Sequence, residues 1–60
     1  MKTAELLKLL KKNGIYKVRE GGRHEIYFSP LTGKEFPVGR HAKEIPTGTL
    51  QSILKDAGLK

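Results

Sequence analysis

The pair Gly21-Gly22 does more than any other feature to limit what this chain can fold into. A short run in strand-like alternation lies on either side of it, Ile15 to Glu20 before and Arg23 to Ser29 after. Two such runs joined by two glycines predict a β-hairpin, because glycine takes the positive φ that the tightest hairpin turns need. The first run sets Tyr16 and Val18 on one face and Lys17 and Arg19 on the other. The second sets His24, Ile26 and Phe28 on one side and Arg23, Glu25 and Tyr27 on the other.

Helical patterns flank the hairpin. Ala4, Leu6, Leu7, Leu9 and Leu10 recur at three- and four-residue spacings, with Lys8, Lys11 and Lys12 opposite. Thr3 is the expected N-cap, Glu5 sits favourably in the first turn, and Asn13-Gly14 is the stop, which predicts a helix over 3–12. After the hairpin, Pro30-Leu31-Thr32-Gly33 is a turn, and Lys34 to Val38 is a third strand with Phe36 and Val38 in phase. Pro37 lacks an N–H, so that strand belongs at a sheet edge. Gly39 to Ile45 is expected to be a loop. Pro46-Thr47-Gly48-Thr49 then opens a second helix whose apolar stripe is Leu50, Ile53, Leu54 and Ala57. Gly58 stops it, and Leu59 supplies the hydrophobic contact that accompanies such caps. Each helix has one apolar face, so both should pack on one side of the sheet. The expectation is an α+β two-layer sandwich in the order helix, three antiparallel strands, helix.

Sixty residues make one domain, 1–60. So short a chain buries a small fraction of its surface and gains stability from a bound partner. The apolar 37% is clustered, which favours a folded domain over a disordered tail. With no cysteine, neither a disulfide framework nor a thiolate metal site is possible, and a cytoplasmic location is the expectation. No apolar run approaches the length of a membrane span or a signal sequence. The net charge of +6 biases the chain toward polyanions. Lys2, Lys8, Lys11, Lys12, Lys17 and Arg19 face only Glu5 and Glu20 in the first twenty residues, which points to a positive face.

Two histidines carry the chemical interest. His24 follows the double glycine at a strand end, beside Arg23 and across the hairpin from Arg19 and Lys17, which together could grip one phosphate. An imidazole titrates near neutrality and can move protons. The plainer reading of His24 is a residue at the rim of the core. His41 lies in Gly39-Arg40-His41-Ala42-Lys43 and is either a local packing residue, a phosphate contact or a second proton carrier. No metal and no cofactor are expected. The histidines lack a ligand spacing, and Glu25, Glu35 and Glu44 are scattered along the chain. Ser29 and Ser52 lack a nucleophile elbow, and Gly21-Gly22 is too brief for a phosphate loop. Tyr16, Tyr27 and Phe36 are of a type to stack bases, though in so small a core most should be structural.

Four segments together resemble the HicA, or YcfA-like, family of toxins. They are Glu5 to Gly14, the turn Gly22-Arg23-His24, the stretch Pro37 to His41 with Lys43-Glu44-Ile45, and the closing Gly48 to Leu59. The resemblance implies an α-β-β-β-α fold like that of double-stranded-RNA-binding domains. It implies ribosome-independent cleavage of mRNA and neutralisation by a HicB-type antitoxin that covers the active site. It places the family's catalytic histidine on His24. The chain departs from the family at Arg23, where serine is common, and at Glu25, where a second histidine is common. Operator DNA would be engaged only indirectly, through the antitoxin.

The leading expectation is therefore a metal-independent endoribonuclease toxin with His24 as the catalytic group. Gly22, Arg23, Lys17, Arg19, Arg40, His41 and Lys43 are the residues expected to hold the RNA phosphates. The alternatives are a non-catalytic RNA-binding module of the same fold and a protein whose basic face docks an acidic partner.

Overall fold

The computed structural model describes residues 1–39 and 43–60. It contains α1 (Thr3–Lys12), β1 (Tyr16–Gly21), β2 (His24–Ser29), β3 (Lys34–Gly39) and α2 (Thr47–Ala57). The strands form one antiparallel sheet in the order β1-β2-β3, which makes β3 an edge and gives Pro37 the place its missing N–H requires. Leu6 and Leu10 of α1, Phe36 and Val38 of β3 and Ile53 and Ala57 of α2 meet in one buried cluster with Ile15 and Ile45. Both helices therefore cover the same sheet face, and the expected two-layer α+β sandwich is what the chain forms.

Both helices end in the same device. In α1, Gly14 takes φ +75°, its N–H reaches the Lys11 carbonyl, and the Ile15 N–H reaches back to Leu10. In α2, Gly58 takes φ +81°, with its N–H on Lys55 and the Leu59 N–H on Leu54. The two remaining orphan carbonyls of the last α2 turn are met from the sheet side. The Thr32 hydroxyl donates to Asp56 and the Ser29 hydroxyl to Ala57.

The start of α1 departs from expectation. Lys2, not Thr3, occupies the cap position, and no side chain caps it. The Thr3 N–H donates instead to the Lys43 carbonyl, and the Ile45 N–H to the Met1 carbonyl, each at 3.0 Å. This short bridge, with Lys2 opposite Glu44, does the work of a cap. It also gives part of the expected 39–45 loop a fixed partner.

Two details of the hairpin depart as well. The turn residues are Gly22-Arg23 rather than Gly21-Gly22, since Gly21 pairs with His24. Gly22 alone needs positive φ, at +27°, so the turn slides one residue toward the C-terminus. Then β1 contains a bulge. Lys17 pairs with Tyr27, but Arg19, not Val18, pairs with Ile26. The extra residue moves Arg19 to the face of Tyr16 and leaves Lys17 on the other, so the expected sharing of one face by Lys17 and Arg19 does not hold. Val18 is exposed, and every residue of β1 is exposed, because the helices cover mainly β3 and β2.

The buried side of β2 is the opposite of the one its apolar residues suggest. Ser29 is fully buried and Tyr27 packs against the core, and both stand in phase with Glu25. His24, Ile26 and Phe28 lie on the face turned away from the helices. Phe28 there meets Tyr16 of β1, with ring centroids 5.8 Å apart.

Candidate functional site

His24 opens β2 and is exposed. Its cross-strand neighbours are Gly21 on β1 and Gly39 on β3. Neither contributes a side chain, so the imidazole has no lateral cover within the sheet. His24 stands outside the buried cluster. It also lines a groove of about 230 Å³ that turns round the end of β3 toward α2, bounded by Gly39, Glu44, Ile45, Pro46 and Thr49. That groove nevertheless reaches two members of the buried cluster, Ile45 and Ile53. The first turn of α2 carries no acidic residue and no side-chain cap, and Pro46 and Thr49 line the groove, which brings the positive pole of the helix to it.

The expected phosphate ligands are dispersed. Gly22 and Arg23 form the hairpin tip directly before His24. Among the described residues Arg23 makes no ion pair, which leaves its guanidinium available to an anion. Lys17 does not converge on His24. It donates to Glu20 at 2.8 Å and to Glu25 at 3.4 Å, on the helix-bearing side of the sheet. Its ammonium is held above its usual range, first by the Glu20 hydrogen bond and further by Glu25. Arg19 shares the face of His24 but pairs with Glu35 at 2.8 Å. Lys43 is exposed, its backbone fixed by Thr3, and it lies beside Lys2, Thr3 and Ala4 at the start of α1 rather than in the groove with His24. Arg40 and His41 lie outside the described residues.

Glu25, the departure next to His24, turns the other way. It accepts from Lys17 and from the Tyr27 hydroxyl, the latter at 3.3 Å. Partial burial and then the Glu25 charge push the Tyr27 phenol above its ordinary range. Strand alternation thus keeps the Glu25 carboxylate off the imidazole. Phe36 is buried, and Tyr27 packs beside it with ring centroids 6.4 Å apart, so neither is placed to stack a base. Tyr16 is 54% exposed and remains available.

Sequence reasoning did not find Glu44, Pro46 and Thr49 in the company of His24. They reach it only because the Met1–Thr3 segment bridges to Lys43–Ile45 and holds the approach to α2 against the sheet. No local pattern announces a bridge between residues so far apart. Among the described residues, no three histidine, cysteine or acidic side chains gather as metal ligands, and no helix is long and apolar enough to cross a membrane.

No curated protein and no solved structure matches the chain. A family model does. The model for the HicA toxin of bacterial toxin–antitoxin systems matches residues 3–59, from the first residue of α1 to the residue that closes the α2 cap. On that match, and in keeping with its helix, three-stranded sheet and helix, the chain belongs to the HicA toxin family.

Proposed function

We propose that this toxin is a metal-independent endoribonuclease in which His24 is the general base. The observation that carries the reading is the position of His24, exposed at the start of a strand and flanked on both sides by glycine. A base that serves a polymer must be approachable along a chain of nucleotides, and two missing side chains open that approach. Arg23 stands beside it at the hairpin tip, free to hold the phosphate.

In the reaction, the neutral imidazole of His24 takes the proton from a ribose 2′-hydroxyl. The 2′ oxygen forms a bond to the adjacent phosphorus, the bond from phosphorus to the 5′ oxygen breaks, and the departing oxygen takes up a proton. RNA supplies this internal nucleophile and DNA does not. Negative charge grows on the nonbridging oxygens, where the Arg23 guanidinium and the positive end of α2 favour it. The substrate would be mRNA in the cytoplasm. A HicB-type antitoxin covering His24 would silence the enzyme and stabilise a small domain by mass action.

Incubation of a single-stranded RNA with the wild type and with His24→Ala, both in EDTA, tests the reading. Cleavage by the wild type that falls by about 10²–10⁴-fold in the variant is expected. Equal cleavage by two equally folded proteins removes His24 from the chemistry. Loss of wild-type cleavage in EDTA, restored by a divalent ion, removes the metal-independent mechanism.

A further inference from the structure

We propose that the sheet face turned away from the helices is a track for single-stranded RNA, with Tyr16 and Phe28 as its base-stacking platform. The proposal rests on the ribonuclease reading above and names the form of RNA that the site takes. Three cross-strand rows lie on this face. The first is Tyr16, Phe28 and Glu35, the second Arg19, Ile26 and Pro37, and the third Gly21, His24 and Gly39. Consecutive rows are about 6.6 Å apart, two residues of strand rise. The aromatic pair and the imidazole are thus separated by about 13 Å, a span of a few nucleotides.

Each row has the chemistry its place on the track requires. Tyr16 is 54% exposed and leans on the half-buried Phe28 at 55° between ring planes, so one ring steadies the other and leaves a face for a base. Arg19 reaches this side only because of the bulge after Lys17. Its partner Glu35 is an exposed side chain on the far strand, and an exposed ion pair is weak enough to be traded for a phosphate. The glycine row then leaves His24 open to the sugar. A paired A-form helix hides its base faces within the stack, whereas an unpaired strand can splay bases onto aromatic rings. The interruption of the apolar residues of this face by Arg19 and Glu35, with Arg23 at the hairpin tip beyond its His24 end, suits a nucleic acid better than a continuous apolar patch would.

Binding measured by fluorescence anisotropy in the His24→Ala background separates the platform from cleavage. The probes are a labelled single-stranded oligoribonucleotide and the same sequence annealed to its complement. Tyr16→Ala is expected to weaken single-strand binding by about 5- to 150-fold, the effect of one stacked base, and Tyr16→Phe to restore it. The duplex is expected to bind more weakly and to be indifferent to Tyr16. Single-strand binding unchanged by Tyr16→Ala, or a duplex that binds as tightly as the single strand, overturns the track while leaving the nuclease reading standing. A Tyr16→Ala protein that binds RNA normally but loses its antitoxin assigns the face to protein docking and also overturns it. Failure of the wild type to cleave RNA bears on the ribonuclease reading alone, since the anisotropy assay needs no catalysis.

Discussion

The hydroxyl of Ser29 donates to the carbonyl of Ala57 at 2.6 Å, and Ser29 is fully buried. The last residue of β2 is thereby tied to the last turn of α2, across the layer that separates sheet from helix. The carbonyl it satisfies has no partner within its own helix. Replacement of Ser29 by alanine leaves that oxygen buried and unpaired, at a cost of about 1–3 kcal/mol. For a domain this small each kcal/mol lowers the melting temperature by about 4–8 °C. Thermal unfolding of Ser29→Ala should show such a fall, while Ser52→Ala, at an exposed position of α2, should melt with the wild type.

Gly48 of α2 and Gly58, which caps that helix, should respond to alanine in opposite directions. A Cβ at Gly58 would lie 2.9 Å from Thr32 Cγ2 and 3.3 Å from Leu31 Cβ, on a backbone with φ +81°. Strain and collision combine there, and Gly58→Ala should lose more than 1 kcal/mol. A Cβ at Gly48, in the first turn, meets nothing within 4 Å. Gly48→Ala should gain about 0.4–1 kcal/mol by restricting the unfolded chain. Urea titrations of the two variants check both signs.

Element order and both helix stops could be read from the sequence because they rest on local physics. The helix stripes, the glycines after them and the proline at the edge strand each fix their own neighbourhood. The inner face of the sheet could not be read this way. In β2 the apolar members Ile26 and Phe28 lie outside, while Ser29 and Tyr27 lie inside. Ser29 is held there by the Ala57 carbonyl, a demand that arises only once α2 is docked. The bulge that parts Lys17 from Arg19 was equally hidden, because simple alternation fits that stretch as well. For the candidate site, the sequence marked His24 and Arg23 through the glycine turn. Glu44 and Thr49 join His24 through long-range pairing that no spacing records.

Stability should decline in alkali through Tyr27 and Lys17. Both hold their protons more tightly in the folded protein than their ordinary values of 10.0 and 10.5 imply, Tyr27 chiefly by burial and Lys17 chiefly through Glu20. A raised folded value means that the contribution is complete below the unfolded pKa and is lost as pH rises through the folded one. The urea midpoint should therefore fall from about pH 10 upward. Tyr27→Phe removes the phenol and should flatten the descent. A descent equally steep in that variant would assign the alkaline loss to other groups.

Glu44 brings a negative charge to the groove that His24 shares with the start of α2. Its backbone pairs with Lys2, but that bridge uses no side-chain atom and survives a change of side chain. The carboxylate therefore acts on an incoming phosphate mainly as a like charge, opposing Arg23 and the positive pole of α2. At a separation of a few ångströms in a wet groove, such repulsion amounts to about 0.5–1 kcal/mol. Glu44→Gln keeps the shape and removes the charge. Measured in the His24→Ala background, it should bind single-stranded RNA about two- to fivefold more tightly at low salt, and the gain should shrink as salt screens the groove. Weaker RNA binding by Glu44→Gln would mean that the carboxylate supports the bound strand instead of repelling it.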